Sequence, residues 1–273
     1  MKILIPFSGG VNSTHALWRW LSQTSHDIAA VYADETWPDQ REVGRGTRER
    51  AAADAIVAWL RSNVRDFAYE ITQWPANYAQ KLAPIRNGFT NTMDVGVVEP
   101  RYAGYKALID AHMPHGIVIG MSLENTAVDT YPNFRSQFET PGVDVYLAGC
   151  PTLDPIAQGD ALDYDVVAAT MIGRFQQLEE LPRELVALIV PKCSSRHDAT
   201  ATDGSAVLCM SCLYEDVRAA RTDMTGAELD AAFAEYGQYG QWRHLADPAA
   251  YQYRNVPQIK ALELLGVNRE PHP

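Results

Sequence analysis

The stretch SGGVNST, residues 8–14, follows directly on the apolar run of residues 2–7. That run is typical of a strand buried on both faces, and residues 13–21 have the apolar spacing of a helix. Glycines between a strand and a helix let backbone N–H groups turn inward, and the helix start adds its own N–H groups and positive dipole end. We therefore predict an anion site formed by Ser8, Gly9, Gly10, Val11, Asn12, Ser13 and Thr14. The simpler alternative is a glycine turn in which Asn12 or Ser13 serves only as the helix N-cap.

Alternating strands and helices are predicted to hold this site. Further strands are expected at 28–32, 67–71, 116–120 and 143–147, with helices at 41–61 and 102–111 between them. This alternation favours a three-layer α/β fold with a parallel sheet, whose ligands collect at the carboxyl ends of the strands. From residue 165 the pattern becomes helical, at 166–175, 181–189, 215–220 and 227–233. We predict a nucleotide-binding α/β domain over 1–160 and a helical carboxy-terminal lobe over 161–273.

Composition and charge exclude several classes of protein. Hydrophobic residues make up 47% of the 273, a globular value, and no window approaches the ~20 consecutive apolar residues of a membrane span. The start of the chain does not have the pattern of a secretory signal, which predicts a cytoplasmic protein. The net charge of −11 disfavours nucleic acid as a partner, because a polyphosphate needs a cationic footprint. The sequence leaves a homodimer open.

Candidate zinc ligands lie in the predicted lobe with the spacing C-x3-H-x11-C-x2-C: Cys193, His197, Cys209 and Cys212. Two cysteines separated by two residues on a turn are the usual half of a tetrahedral zinc site, and cytosolic cysteines are reduced. Cys150 is the alternative to His197 as fourth ligand, and metal-free cysteines packed in a helical core are the simpler alternative. The zinc is expected to stabilise the lobe and to have no catalytic role.

The first motif resembles the PP-loop of ATP pyrophosphatases, in which S-G-G-x-D-S/T follows the first strand. The resemblance implies that ATP is cleaved between its α and β phosphates and that a substrate oxygen is adenylated. Asn12 stands where that family has Asp. The resemblance implies that the loop binds ATP and Mg²⁺. Because an amide brings no negative charge to Mg²⁺, Asn12 differs from the aspartate that the family has as a ligand at this position.

Downstream segments are similar to the 7-cyano-7-deazaguanine synthases. GIVIGMSLENTAVDTYPNFRSQF resembles that family's glycine-ended strand followed by Y-P-D-x-R-x-x-F, with Asn133 in place of Asp. The shared order of motifs covers about 200 residues and extends to the cysteine cluster, where Ala206 replaces one of four cysteines. The resemblance implies further nucleotide contacts at Tyr32, Asp34 and Gly120, and a site for the substrate acid at Arg101, Tyr131, Pro132, Arg135 and Phe138. Ser8, Asn12, Ser13 and Arg101 are the implied catalytic residues.

The activity implied by this resemblance is that of an ATP-dependent C–N bond-forming ligase. It would adenylate the carboxylate of a 7-carboxy-7-deazaguanine-like acid, and ammonia would displace AMP to give the amide and then the nitrile. The departures at Asn12, Asn133 and Ala206 leave open a divergent enzyme that joins the activated acid to a protein amine. A non-catalytic nucleotide-binding module is a second alternative. A tRNA-thiolating PP-loop enzyme would need a catalytic cysteine near the loop, for which only Cys150 is eligible, and a basic strip that the net charge opposes.

Overall fold

The computed structural model describes residues 1–34, 45–73, 107–120, 122–123, 140–158, 163–189, 216–240 and 263–266. The strands are β1 (Lys2–Pro6), β2 (Asp27–Asp34), β3 (Ala68–Gln73), β4 (Gly116–Ile119) and β5 (Asp144–Leu147). The longer helices are α1 (Val11–Gln23), α2 (Arg45–Asn63), α3 (Tyr164–Thr170), α4 (Arg174–Glu180), α5 (Arg183–Ile189) and α6 (Gly226–Gly240). Residues 107–112 and 216–220 are also helical.

The described strands form one five-stranded sheet in the order β3-β2-β1-β4-β5, and every pairing is parallel. This confirms the predicted α/β class with a parallel sheet. The chain runs from β1 outward to β3 and then returns to the other side of β1 for β4 and β5. The strand order therefore reverses between β1 and β4, and a crevice for ligands is expected outside the carboxyl ends of these two strands.

Helices cover both faces of the sheet. Alternate residues of each strand point to opposite faces, so one strand can contribute to a hydrophobic cluster on each side. Ile3 and Ile5 of β1 belong to one hydrophobic cluster, together with buried residues of α1 and α2. Leu4 belongs to a second cluster on the other face, with Leu108 and Ile109 from the helical segment 107–112. The site at the end of β1 therefore rests on a strand that is packed from both sides.

The carboxy-terminal helices pack on the same face as α1 and α2. Phe175, Leu185 and Phe233 belong to the cluster that contains Leu17 of α1 and Leu60 of α2. The apolar core is thus continuous across the predicted domain boundary at 160/161, while the division into two domains stays a prediction. Among the described residues, no helix has both the length and the apolarity needed to cross a membrane.

One helix expected from the sequence is two in the structure. The predicted helix 166–175 ends at Thr170, and α4 begins at Arg174 after Gly173, which has an extended backbone. A Cβ at Gly173 would lie 2.2 Å from Oδ1 of Asp230, so only glycine fits there. The Asp230 carboxylate accepts hydrogen bonds from the N–H groups of Phe175 and Gln176, at 2.9 and 3.0 Å. The predicted helix is therefore interrupted because Asp230, a residue distant along the chain, caps the start of α4. The local periodicity of the sequence does not indicate such a contact.

The capping between α4 and α6 is reciprocal. Oε2 of Glu179, near the end of α4, accepts a hydrogen bond of 2.8 Å from the N–H of Gly226, the first residue of α6. Each helix thus supplies a carboxylate to the amino terminus of the other, where backbone N–H groups and the helix dipole favour negative charge.

Candidate functional site

The junction between β1 and α1 is a tight turn set by Gly9. Its φ of +67° lies in the left-handed region that favours glycine, and a Cβ there would lie 3.2 Å from the Cα and Cβ of Ala53 on α2. Gly10 is the N-cap residue of α1, and no side chain among the described residues caps that end. The helix starts two residues earlier than predicted, and backbone N–H groups at a helix start without a side-chain cap favour an anion.

Hydrogen bonds of two serine hydroxyls stabilise the turn. Oγ of Ser13 accepts from the backbone N–H of Ser8 at 3.3 Å and donates to the carbonyl of Gly10 at 3.2 Å. The Ser8 hydroxyl lies 3.2 Å from that same Oγ and accepts from the N–H of Gly10 at 3.3 Å. Ser8 is exposed and Ser13 is buried. The structure thus brings both predicted residues to the loop, with Ser13 as its internal support.

The side chain of Asn12 connects the ends of two strands. Its Nδ2 donates to Oγ of Ser122 at 3.0 Å and to the carbonyl of Gly120 at 3.4 Å. Both acceptors follow β4, so the bond spans the crevice at which the strand order reverses. A carboxylate could not make these donations, because an ionised carboxylate is only an acceptor. Asparagine is therefore matched to its surroundings here, and the structure brings together Asn12 and Gly120, each of which was predicted as a nucleotide contact.

Three other predicted nucleotide contacts are buried. Thr14 has no exposed surface, and its N–H already donates to the carbonyl of Gly10 at 2.9 Å. The side chains of Val11 and Tyr32 are buried in the hydrophobic core on the α1 side of the sheet. The Thr14 hydroxyl therefore has no open path to a ligand in this geometry, and the exposed part of the loop is limited to its first residues.

Behind the loop, α1 is joined to α4 by a buried histidine. Nε2 of His15 lies 2.7 Å from Oε2 of Glu180, and the His15 side chain has no exposed surface. Burial lowers the pKa of His15, and the hydrogen bond from His15 lowers the pKa of the Glu180 carboxyl. Nδ1 of His15 is buried with no hydrogen-bond partner among the described residues. The neutral tautomer that donates from Nε2 fits this surrounding, because a protonated Nδ1 would be a buried donor without an acceptor.

Cys150 lies at the end of β5 and packs in the core. Burial raises the pKa of its thiol, which opposes the thiolate that a metal requires. Its carbonyl, and that of Pro151, accept hydrogen bonds of 2.7 and 2.6 Å from the guanidinium of Arg19 on α1. This surrounding disfavours Cys150 both as a fourth zinc ligand and as a catalytic thiol.

The remaining predicted site residues lie outside the described part of the chain. They are the substrate residues Arg101, Tyr131, Pro132, Arg135 and Phe138 and the zinc ligands Cys193, His197, Cys209 and Cys212. Asp34 is placed only as the last residue of β2, paired in register with Gln73. Within the described ranges, no group of three His, Cys, Asp or Glu residues could hold a metal ion. The zinc and Mg²⁺ assignments stay predictions.

Sequence reasoning missed two residues that contact this site. Ser122 carried a usable signal, because it is a polar residue just after a predicted strand, at the edge where ligands collect. Glu180 carried no local signal, since 165 positions separate it from His15. The chain matches no protein-family model, and no curated protein is significantly similar to it.

Proposed function

We propose that the crevice outside β1 and β4 binds the phosphates of ATP. The observation that carries this proposal is the uncapped start of α1, placed by the positive φ of Gly9 at the point where the strand order reverses. Backbone N–H groups and the helix dipole favour an anion at such a place. Ser8, at the mouth of the loop, is exposed.

We propose that the bound ATP activates a carboxylate, as the resemblance to 7-cyano-7-deazaguanine synthases implies. A carboxylate oxygen attacks the α phosphorus, the bond to the bridging oxygen breaks, and pyrophosphate leaves. Ammonia then attacks the acyl carbon, and AMP leaves with the electron pair as the amide forms. The amide oxygen then attacks the α phosphorus of a second ATP and pyrophosphate leaves, after which loss of AMP and protons gives the nitrile. Loop N–H groups stabilise charge on the phosphates during these steps.

The proposed substrate is a purine-like acid related to 7-carboxy-7-deazaguanine. Arg101 and Arg135 are its proposed guanidinium partners, because a guanidinium can grip a carboxylate with two hydrogen bonds. Tyr131, Pro132 and Phe138 are proposed to position its ring. Zinc held by Cys193, His197, Cys209 and Cys212 is proposed as a structural element of the carboxy-terminal part. Mg²⁺ bound with ATP would supply charge neutralisation of the phosphates.

The proposal is tested by incubating the protein with ATP, Mg²⁺, 7-carboxy-7-deazaguanine and ammonium, and measuring pyrophosphate, AMP and product mass. We expect equal release of AMP and pyrophosphate that depends on the acid, with a product mass of the amide or nitrile. The matched control omits the acid and should release neither. AMP release that requires an added protein amine would instead support the conjugating enzyme.

A non-catalytic nucleotide-binding module is the second candidate, and the bonds of Asn12 favour it. Its amide is used to join β1 and β4, so it contributes no charge to a metal. This candidate predicts that ATP raises the midpoint of thermal unfolding while the reaction mixture contains no AMP or pyrophosphate. The two measurements together decide between the candidates.

A further inference from the structure

The contact between His15 of α1 and Glu180 of α4 pairs a buried group with a partly exposed one. The His15 side chain has no exposed surface, whereas 37% of the Glu180 side chain is exposed. Nε2 of His15 and Oε2 of Glu180 lie 2.7 Å apart. Water therefore reaches the carboxylate side of the contact, while the imidazole is shielded from it.

The surroundings of His15 favour its neutral form. Within the described ranges its Nδ1 has no hydrogen-bond partner, so a proton there would be buried without an acceptor. Two charged groups act on the ring: Glu180 favours a proton on it, and Arg19, one turn further along α1, opposes one. Arg19 is itself buried, where it donates to the carbonyls of Cys150 and Pro151. Burial has the largest effect of all and lowers the pKa of His15, so a protonated ring is more stable once water reaches it.

Helices α4 and α6 form a unit with its own polar contacts. The N–H groups of Phe175 and Gln176 on α4 donate to Asp230 of α6, and Glu179 of α4 accepts from the N–H of Gly226 on α6. Helix α4 has seven residues, too few to be stable by itself in water, so it depends on these caps and on its packing. The caps lie within the unit, and they are not broken when α4 and α6 move away from α1 together.

We propose that the contact between His15 and Glu180 is a pH-sensitive link, and that protonation of His15 favours an open form in which α4 and α6 separate from α1 while the parallel sheet stays folded. This inference does not depend on the proposed function. The open form exposes Leu178, which is buried in the same cluster as Leu17 of α1, so it is the minor form at neutral pH.

The direction of the pH effect follows from the proton bound by each form. In the open form the His15 ring reaches water and has a pKa near its ordinary value of 6.5, whereas burial holds the pKa below that value in the closed form. Between these values the open form binds more protons than the closed one. Its population therefore rises as the pH falls below 6.5.

The other face of the sheet carries a matched control histidine. Nε2 of His112 lies 3.5 Å from Oε2 of Glu70 on β3. This pair also joins a histidine to a carboxylate, but His112 ends the helical segment 107–112, which packs against the second hydrophobic cluster. His112→Gln therefore removes a histidine beside a carboxylate and leaves the contact between α1 and α4 unchanged.

The test measures native-state hydrogen exchange of the full chain at pH 7.5 and 5.5, at several low urea concentrations, with correction for the intrinsic effect of pH on exchange. We expect the α4 amides to be less protected than those of β1 and to depend less on urea, because their opening exposes less surface than global unfolding. Their protection should fall by up to about tenfold between the two pH values, since the open form binds one more proton. His15→Gln should remove this fall, and His112→Gln should keep it.

Each result decides one part of the proposal. If α4 and β1 amides have equal protection and equal dependence on urea, α4 opens only in global unfolding and the proposal is wrong. If the corrected protection of α4 is the same at both pH values, or if H15Q keeps the fall, His15 does not control the opening. An NMR titration of the His15 ring in the natural protein gives the comparison should H15Q not fold, and a ring that titrates at 6.5 or above contradicts the proposal.

Discussion

The Asn12 amide donates a hydrogen bond of 3.0 Å to the hydroxyl of Ser122, a residue 110 positions away and with no exposed surface. The bond joins the first turn of α1 to the segment after β4, across the crevice where the strand order reverses. Asparagine at position 12 is therefore part of a specific contact between two loops. The asparagine is more than an uncharged replacement for aspartate, because its amide donates this hydrogen bond.

We expect Asn12→Asp to weaken the loop and not to improve it. A carboxylate would face the carbonyl of Gly120 without a proton to donate, so the free energy of unfolding should fall by about 1–2 kcal/mol. Thermal or urea unfolding measures this change. Ser122→Ala is the control that removes the hydroxyl acceptor of the Asn12 amide while the Gly120 carbonyl remains, and it should cost less. An N12D variant that is more stable than the natural protein would contradict this interpretation.

Gly9→Ala should destabilise the protein more than the same change at Gly142. Both glycines have a positive φ, +67° and +79°, so both pay backbone strain of order 1 kcal/mol when a Cβ is added. Only Gly9 would also place the new atom at 3.2 Å from Ala53, whereas nothing lies within 4 Å at Gly142. Urea unfolding of the two variants measures the difference. Equal losses would mean that contact between the loop and α2 has no energetic importance.

Asp230→Ala should strongly destabilise the carboxy-terminal helices. The buried carboxylate accepts from the N–H groups of Phe175 and Gln176, and both would lose their acceptor. Loss of a helix cap costs about 1–2 kcal/mol. Glu228→Ala, which removes an exposed carboxylate from the first turn of α6, is the matched control and should cost less. The prediction is wrong if urea unfolding gives the two variants the same stability.

The stability of the protein should depend on His15 at mildly acid pH. Its folded pKa lies below the ordinary value of 6.5 because of burial, so between these values the unfolded chain binds more protons than the folded one. The contribution of neutral His15 to the free energy of unfolding is fully present above pH 6.5, and it is lost as the pH falls towards the folded pKa. Urea unfolding from pH 7.5 to 5 should show this decline, and His15→Gln should flatten it. An unchanged slope in H15Q would assign the decline to other groups.

Glu180 should also make the stability of the protein depend on pH, but at lower pH than His15. Its carboxyl group is ionised in the folded protein, whereas His15 is neutral. The hydrogen bond from His15 lowers the pKa of this carboxyl below its ordinary value of 4.5. Its stabilisation is therefore present above pH 4.5 and is lost as the pH falls through the folded pKa. Glu180→Gln should reduce the steepness of acid unfolding below pH 4.5. If the acid limb is as steep in E180Q as in the natural protein, the bond to His15 does not govern it.

The parallel sheet could be predicted because its signals are local. Strand β1 has an unbroken apolar run, and Gly9 and Gly10 mark the turn into a helix. Their positions at a strand end were enough to place the candidate anion site. The start of α1 was predicted two residues late, because Gly10 acts as the N-cap and no side chain marks that end.

The sequence alone determined which residues form the strands, the glycine turn and the apolar faces, because these depend on neighbours within a few positions. Only the tertiary structure decided that Asn12 meets Ser122, that His15 meets Glu180 and that Asp230 ends a helix at Gly173. Each of these contacts joins segments that are distant along the chain, and their geometry depends on how whole helices and strands pack. Periodicity records which face of an element is buried, but not which polar side chain it meets there.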